Sequence, residues 1–200
     1  MTSGPAKPRG LLLLGTSHVG KSTCAAAVAA THGWPVISTD RLGRHPGRPW
    51  TGVPQPVLDF YLRLNDDAVH WFLRVHHKNM RPVIHDRLRI AAETSGYVME
   101  GAALRPEYLA GWNTGRAVAV CLHADDGVIC RRIAEASART DRDRRMRTAI
   151  DRFTERSLRE NAALTAAARA HDLPLIDTSG PEGVAQVAVA LRDLVDTAAG

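Results

Sequence analysis

The segment from Gly15 to Ser22, Gly-Thr-Ser-His-Val-Gly-Lys-Ser, constrains this chain more than any other. Its residue types and spacing match the phosphate-loop pattern G-x-x-x-x-G-K-[ST]. An apolar run, residues 11–14, precedes the segment, and an Ala-rich stretch with helical character, residues 21–31, follows it. In a strand, glycine loop and helix of this order, main-chain N–H groups and the positive helix end converge on phosphate oxygens. We therefore predict a nucleoside-triphosphate site here.

Each residue type in the loop has an expected role. Gly15 and Gly20 let the backbone curl around the anion. We expect Lys21 to bridge the β- and γ-phosphates and Ser22 to hold Mg²⁺ through its hydroxyl. Either His18 contacts the nucleotide, or it is an exposed loop residue without a special role. The predicted nucleotide-binding residues are Gly15, Thr16, Ser17, His18, Val19, Gly20, Lys21, Ser22 and Thr23.

Length and composition indicate one ordinary globular domain. The chain has 200 residues, of which 44% are hydrophobic, and a formal net charge of +5, which favours anionic partners without identifying them. The three cysteines are too few and too scattered for a disulfide framework or a zinc site, and buried thiols are expected. Four leucines at 11–14 cannot span a bilayer, so we expect a cytoplasmic protein without a membrane partner.

Apolar runs that alternate with helical patterns predict the fold class. Strands are expected at 11–14, 35–38, 97–99, 117–122 and 173–176, and helices at 21–31, 57–80, 82–95, 182–197 and within a long charged region, 126–170. This alternation predicts an α/β fold, a parallel sheet flanked by helices in three layers. We predict a single domain over 1–200. Residues 1–9 are expected to form a flexible leader, and residues 41–82 are expected to depart from the alternation of strands and helices.

With the loop, the strand order and an Arg-rich segment in view, the chain resembles the nucleoside-monophosphate-kinase-like branch of P-loop kinases. Members include shikimate, gluconate, adenylate and cytidylate kinases, chloramphenicol phosphotransferase, zeta-toxin-like kinases and the 2-phosphoglycerate kinase group. The resemblance covers most of the chain in layout, but only the phosphate loop is specific. It implies a P-loop NTPase fold with a five-stranded parallel sheet, a helical substrate-binding insertion at 41–82, an Arg-rich lid at about 131–150, and use of ATP with Mg²⁺.

Two carboxylates follow predicted strands and are candidate catalytic groups beside Lys21. Asp40 comes just after the second strand, where related small-molecule kinases place an aspartate, and a carboxylate there can accept the proton of an attacking hydroxyl. Glu100 ends the third strand, where it can orient a Mg²⁺-bound water or bind the acceptor. The stretch that begins Glu100-Gly101 looks like the same strand end in 2-phosphoglycerate-kinase-like proteins. Simpler alternatives are a turn aspartate and a strand-terminating glutamate.

The remaining site candidates are transferred by position. The predicted substrate-binding residues are Asp40, Arg41, Arg44, Arg48, Glu100, Gly101 and Arg105. Trp50 either stacks on a flat substrate or packs under its loop. Arg139 and Arg142 are expected to lie with Arg145 on one helical face of the lid and to stabilise transferred-phosphoryl charge, although a solvated helix face is the simpler reading of any single arginine. The histidines His76, His77 and His85 lack the pattern of a metal site.

We therefore predict an ATP-dependent phosphotransferase that moves the γ-phosphoryl group to a hydroxyl of a small-molecule acceptor. A nucleoside or nucleotide monophosphate kinase is an alternative, since basic groups at 41–48 could hold an acceptor phosphate. A non-catalytic nucleotide-binding regulator and a nucleic-acid 5′-end kinase are further alternatives. The nucleic-acid kinase alternative rests only on the excess of basic over acidic residues. No basic patch interleaved with aromatic residues supports nucleic-acid binding.

Overall fold

Strands and helices alternate along the chain in the computed structural model, which describes residues 9–50, 52–93, 96–114, 116–180 and 183–197. The strands are β1 Gly10–Leu14, β2 Val36–Ser38, β3 Tyr97–Glu100, β4 Ala117–His123 and β5 Leu175–Asp177. The helices are α1 Lys21–His32, α2 Gln55–Arg63, α3 Asp66–Ala92, α4 Pro106–Leu109, α5 Asp126–Ser137, α6 Arg144–Ala170 and α7 Gly183–Thr197. Most of the predicted leader, residues 1–8, and the predicted first residue of the last helix, Glu182, lie outside the described residues.

The five strands form one parallel sheet in the order β2-β3-β1-β4-β5. This confirms the predicted α/β class and the predicted strands. Leu13 is paired with Glu100, and Glu100 with Ser38, so the carboxyl ends of β1, β3 and β2 are level. The residues that follow them, which are the phosphate loop, Gly101 and Asp40, therefore emerge at one edge of the sheet, where ligands bind in open α/β sheets.

Strand β1 is buried on both faces, as the leucine run predicts. Leu11 and Leu13 belong to the apolar core on one side of the sheet, which also contains residues of α1, α5, α6 and α7. Leu12 and Leu14 belong to the core on the other side, with residues of α3. Successive side chains of a strand point to opposite faces, so a continuous apolar run fits a central strand covered by helices on both sides. The result is three layers.

The predicted break between two helices at Pro82 is wrong. The helix α3 runs through Pro82 without interruption, and the break lies earlier, where Asn65 begins α3 and accepts a hydrogen bond from the Ala68 N–H at 2.8 Å. A proline inside a helix removes one backbone hydrogen bond at a cost of about 3 kcal/mol. Pro82 is exposed, so water can satisfy the carbonyl that it leaves unpaired. The buried face of α3, which includes Ile84 and Leu88, offsets the remaining loss.

The Arg-rich segment is not one helix. Ala138, with φ 47°, ends α5, a 3₁₀ turn covers Arg139–Asp141, and Asp143 caps α6 by accepting from the Met146 N–H at 2.8 Å. Arg139 and Arg142 therefore lie in the connection, whereas Arg145 lies in the first turn of α6. The predicted helical face shared by these three arginines does not form, because a left-handed residue and an N-cap interrupt the helix between α5 and α6.

The three cysteines, which are all described by the structure, are free thiols. Cys24 and Cys121 are buried free thiols, and burial raises the pKa of each to about 11. Cys130 is a free thiol that is only partly buried.

None of the described helices is both long and apolar enough to cross a bilayer.

Replacing Gly101 by alanine should destabilise the fold, because Gly101 has φ 154° and an added Cβ would lie 1.7 Å from the Thr39 Oγ1 atom. We expect the free energy of unfolding to fall by about 2–4 kcal/mol, since backbone strain and a steric overlap act together. Urea unfolding monitored by circular dichroism measures this loss. Gly111→Ala is the matched control, because an added Cβ there makes only a 4.0 Å contact with the Tyr108 carbonyl oxygen. Equal stability of the two variants would contradict the prediction.

Candidate active site

The phosphate loop curls at the carboxyl end of β1. Gly15 has φ 139° and its Cα approaches the β4 backbone so closely that a Cβ would lie 2.5 Å from the Leu122 carbonyl oxygen. Gly20 has φ 90°, and a Cβ there would lie 2.5 Å from Val184 of α7. Both glycines of the pattern are therefore required by conformation and by close contacts, in keeping with a loop that turns its N–H groups inward.

Lys21 begins α1 with its side chain buried inside the loop. Its Nζ atom donates to the Thr16 carbonyl oxygen at 2.6 Å, and only 9% of the residue is exposed. Burial lowers the pKa of Lys21, while the negative charges of Glu100 and Asp40 oppose that change. A partly desolvated ammonium between an amide loop and two carboxylates is an environment suited to an anionic ligand with an accompanying cation.

A cavity of about 360 Å³ opens over this loop. Asp40 and Glu100 both line it, so the structure brings the two predicted carboxylates together with Lys21, Ser22 and Thr23. Glu100 is buried, with 5% of its surface exposed, whereas the Asp40 side chain is 66% exposed. Glu100 is therefore buried in the cavity wall, whereas both solvent and a ligand in the cavity can reach Asp40.

His45 lies beside Asp40 in the loop after β2. Its Nδ1 accepts from the Gly47 N–H at 3.0 Å, so the neutral ring carries its proton on Nε2, which lies 3.9 Å from the Asp40 carboxylate. Burial lowers the pKa of His45, and Asp40 opposes this change. Among the substrate-binding arginines predicted in this loop, Arg48 lines the cavity, whereas Arg41 and Arg44 are exposed and outside its lining.

His18, in the middle of the phosphate loop, is not an exposed residue. Its backbone has φ 64°, and its ring packs against Trp50 and Phe153, with ring centroids 5.8 and 6.0 Å away. Burial lowers the pKa of His18 to about 4, helped by Arg48, Lys21, Arg156 and Arg132. Trp50 is 9% exposed and packs against His18 and Phe153, which favours packing over stacking on a substrate, the two alternatives that the sequence left open.

No family model matches the sequence, and no curated protein matches it at a significant level. Solved structures do match. The deoxyadenosine kinase from M. mycoides with bound dATP has a TM-score of 0.56 and 13% identity, over 94% of this chain and 100% of that chain.

Two further structures agree. A gluconokinase from Sinorhizobium meliloti 1021 gives a TM-score of 0.54 and 20% identity, over 96% of this chain and 97% of that chain. The shikimate kinase from Bacteroides thetaiotaomicron gives 0.52 and 16%, over 94% of this chain and 98% of that chain. The chain has the P-loop kinase fold. At these identities the similarity concerns the fold, and what the site does must be argued from its own residues.

Two arginines that the sequence analysis did not single out contact the loop directly, although Arg132 falls within the predicted lid at about 131–150. Arg132 of α5 donates to the His18 carbonyl oxygen at 3.1 Å and to the Thr178 carbonyl oxygen at 2.6 Å. Arg156 of α6 donates to the Ser17 hydroxyl at 3.2 Å, and its guanidinium lies 4.4 Å from the centre of the Phe153 ring. Both line the cavity.

The predicted lid arginines lie elsewhere. Arg139 makes a two-point contact with Asp151 at 2.7 and 2.9 Å, and Arg142 donates to the Ser137 carbonyl oxygen at 2.9 Å. Neither lines the cavity. The sequence held one usable signal for the missed group: Phe153, Arg156, Ser157 and Glu160 share one face of α6, where polar residues interrupt an apolar pattern.

The predicted Arg105 is fully buried and lies outside the cavity lining. Its guanidinium donates to Glu107 at 2.6 Å and, through Nη1, to Glu160 of α6. Burial raises the pKa of Glu160, and the adjoining Arg105 opposes that rise. Arg105 therefore acts through Glu160, which does line the cavity, rather than by direct contact with a ligand.

Three histidines line the cavity in addition to His18: His45, His76 and His77. The His45 and His76 ring centroids are 5.5 Å apart, and those of His76 and His77 are 6.1 Å apart. Burial lowers the pKa of His76, and it lowers that of His77 to about 3. Across the described residues, no group of three or more His, Cys, Asp or Glu side chains could hold a metal ion.

His18 should remain neutral well below the usual range of histidine. Because its pKa is about 4 in the folded protein and about 6.5 unfolded, the unfolded chain binds the extra proton between these values. The stability contributed by neutral His18 is therefore complete above pH 6.5 and is lost as pH falls toward 4. Proton NMR should show the His18 ring titrating near pH 4.

The matched variant is His18→Asn, since asparagine tolerates the left-handed backbone. We expect its melting temperature to fall less steeply between pH 6.5 and 5 than that of the unmodified protein. A His18 ring that titrates near pH 6.5, or identical slopes of melting temperature against pH, would contradict the prediction.

Proposed function

We propose that this protein is an ATP-dependent phosphotransferase that moves the γ-phosphoryl group to a hydroxyl of a small-molecule acceptor. The observation that carries the proposal is the convergence in one cavity of the phosphate loop, the buried Lys21 ammonium, and the Asp40 and Glu100 carboxylates. Phosphoryl transfer needs such parts: donors for the phosphates, charge to neutralise them, and a carboxylate for the attacking hydroxyl. The small-molecule kinases among the structural neighbours support the same class of reaction.

ATP fits the loop end of the cavity. The loop from Gly15 to Gly20 offers main-chain N–H groups next to the amino end of α1, and Lys21 supplies the ammonium that closes the ring. Ser17, Ser22 and Thr23 line the same region, so their hydroxyls are available to phosphate oxygens. We propose that residues 41–82 hold the acceptor opposite this loop.

The donor set also fits magnesium. The Ser22 hydroxyl and the Glu100 carboxylate, both in the cavity wall, are the hard oxygen donors that Mg²⁺ prefers, and the ion usually keeps several waters. We propose that Ser22 holds Mg²⁺ and that Glu100 orients its water or contacts the acceptor. When bound, Mg²⁺ neutralises charge on the β- and γ-phosphates.

Asp40 is the proposed general base. It accepts the proton of the acceptor hydroxyl while that oxygen forms a bond to the γ-phosphorus, the bond from phosphorus to the bridging oxygen breaks, and ADP leaves with those electrons. Its exposure within the cavity allows an acceptor to reach it, and the nearby His45 Nε2–H holds the carboxylate electrostatically.

Arg132 and Arg156 are the proposed cationic groups of the transition state. Each already contacts the phosphate loop, and a guanidinium remains charged at any physiological pH. The transferred phosphoryl group spreads its charge over three oxygens, and cations aimed at these oxygens stabilise it. Arg139 and Arg142 remain lid candidates only if the 138–143 connection moves toward the cavity during turnover.

Lys21→Ala and Asp40→Asn should separate binding from chemistry. We expect Lys21→Ala to weaken ATP binding and to lower kcat by about 10³-fold, because a phosphate ligand is lost. Asp40→Asn should leave ATP affinity within about twofold and lower kcat by about 10²–10⁴-fold, the range that a general base contributes. Calorimetry with Mg²⁺ and ATP, together with a product assay over an acceptor panel, measures both.

Lys78→Ala and Asp86→Asn are matched controls, since both residues are exposed on α3 and outside the cavity lining. If folded protein bound neither ATP nor GTP, the proposed function would be wrong. Undiminished turnover by Asp40→Asn would remove only the base assignment.

Arginine variants should distinguish the cavity arginines from the predicted lid. We expect Arg156→Ala to lower kcat by at least about 100-fold, because a cation beside the transferred group is lost. Arg156→Lys should retain part of that activity, since the charge remains but the planar fork does not. The double variant Arg139→Ala/Arg142→Ala should change kcat by less than about threefold. A loss in the double variant as large as that of Arg156→Ala would show that the connection closes over the site.

A further inference from the structure

Part of the cavity wall has polar atoms that the function proposed above leaves unused. Glu160 of α6 is 1% exposed and His77 of α3 is 3% exposed, and both line the cavity. The two side chains are close, with the His77 Nδ1 atom 3.7 Å from the Glu160 Oε1 atom. We call these two residues the acceptor floor.

Arg105 fixes the orientation of the acceptor floor from behind. Its Nη1 atom donates to the Glu160 Oε1 atom and lies 3.4 Å from the His77 Nδ1 atom. A guanidinium can only donate, so His77 Nδ1 is the acceptor and the neutral ring carries its proton on Nε2. His77 therefore offers one N–H donor, and no described residue is hydrogen-bonded to that atom.

Glu160 offers the complementary acceptor. Its Oε2 atom is buried and has no hydrogen-bond partner among the described residues, although the other oxygen is bound by Arg105. The Nδ1 atom of His70 lies 4.0 Å from Oε2, which is too far for a hydrogen bond. A buried carboxylate oxygen without a partner is costly unless something that enters the cavity donates to it. The acceptor floor thus presents one unfilled acceptor and one unfilled donor side by side.

The carboxylates of the acceptor floor and its support are paired with arginines. Arg105 is paired with Glu160 and Glu107, and Arg74 lies 3.4 Å from Glu107, so two cations face two carboxylates. Burial keeps His77 neutral at pH 7, with a pKa of about 3. The surroundings therefore favour hydrogen-bonding groups over a ligand of either net charge.

The cations that line the cavity act mainly at the phosphate loop, although the charge of Arg156 also reaches Glu160 and His77. Arg132 and Arg156 bond atoms of the phosphate loop, and Arg48 is the strongest of the charges that lower the pKa of His18 in that loop. Among the cavity-lining residues that the structure describes, the only other cation is Lys21 of the loop itself. Anion-binding capacity is concentrated where the triphosphate would bind.

We propose that Glu160 and His77 recognise two hydroxyl groups of an uncharged polyhydroxyl acceptor, such as a sugar or cyclitol. Glu160 Oε2 accepts a hydrogen bond from one hydroxyl, and His77 Nε2–H donates to the oxygen of the other. A third hydroxyl of the same molecule is the one that approaches Asp40. The inference rests on the proposed phosphotransferase activity and adds the class of acceptor.

Other acceptor chemistries fit less well. A carboxylate or phosphate group would meet the Glu160 oxygen as a like charge, at a place where Arg105 is already engaged. An ammonium group could pair with Glu160 but would leave the His77 Nε2–H without an acceptor. These two classes are therefore outcomes that the experiment must distinguish.

The experiment measures product formation with Mg²⁺ and ATP over four acceptor groups. Uncharged polyols are represented by D-glucose, D-ribose and myo-inositol; carboxylates by D-gluconate and shikimate; amino compounds by D-glucosamine and 2-deoxystreptamine; and phosphates by nucleoside monophosphates. Phosphorus NMR identifies the product. We expect the uncharged group to give the highest kcat/KM, by at least about 10-fold over the others.

Variants then test the two contacts. Glu160→Gln keeps the shape but removes the charge, and we expect the acceptor KM to rise about 10-fold with the ATP KM within twofold. His77→Asn preserves an oxygen near the Nδ1 position but loses the Nε2–H, and a similar rise is expected. His77→Gln can place an amide N–H near the Nε2 position and should restore part of the affinity. Glu155→Gln and His171→Asn, both exposed on or next to α6, are the matched controls.

Each result is decisive. Preference for a carboxylate or phosphate acceptor, or unchanged acceptor KM in both floor variants, overturns the inference and leaves the proposed function intact. Preference for an amino compound that Glu160→Gln abolishes assigns Glu160 to an ammonium and also overturns it. No product from any acceptor overturns the proposed function as well. If Glu160→Gln does not bind ATP and is not folded, the contrast between His77→Asn and His77→Gln carries the test.

Discussion

The level alignment of three parallel strand ends is the constraint on which the rest of the site depends. Because Leu13, Glu100 and Ser38 are in register, the segments that leave β1, β3 and β2 start at the same height. A triphosphate loop, a buried carboxylate and an exposed carboxylate then share one cavity without any long-range adjustment of the chain. Slipping the register of β2 against β3 by one residue would move Asp40 by about 3.3 Å and turn each side chain to the other face.

Helix α6 ties the two halves of the cavity together. Near its middle, the Ser157 carbonyl oxygen accepts from the Thr16 hydroxyl in the phosphate loop at 3.0 Å, and Arg156 contacts Ser17. One turn later, Glu160 also lines the cavity. The positions of a loop cation and of the acceptor floor are therefore set by the same rigid element, which is the kind of support that a site needs to hold reacting groups in place.

Local patterns predicted what local physics determines. The phosphate loop, the five strands and the parallel α/β class follow from a short motif, apolar runs and their alternation with helical segments, and all of these appear in the structure. The break predicted at Pro82 failed because tertiary packing along α3 outweighs the local cost of proline. The shared arginine face at 139–145 failed because Ala138 adopts a left-handed backbone that the sequence does not announce.

Long-range contacts determine the parts of the site that sequence reasoning missed. Arg132 and Arg156 are two among 26 basic residues, and apart from the mixed polar and apolar face around Arg156, their neighbours do not distinguish them from arginines that face solvent. Their contacts with residues 17, 18 and 178 exist only after the helices pack. Arg105 was expected to touch the acceptor and instead supports Glu160 from behind, a difference that only burial and pairing reveal.

The phosphate loop depends on contacts with residues that come much later in the chain. Val184 packs against Gly20, and Thr178 shares Arg132 with the loop backbone. The loop therefore completes its set of contacts only when Thr178 and Val184 are in place. Because those residues are synthesised long after the loop, the growing chain completes the loop's contacts late.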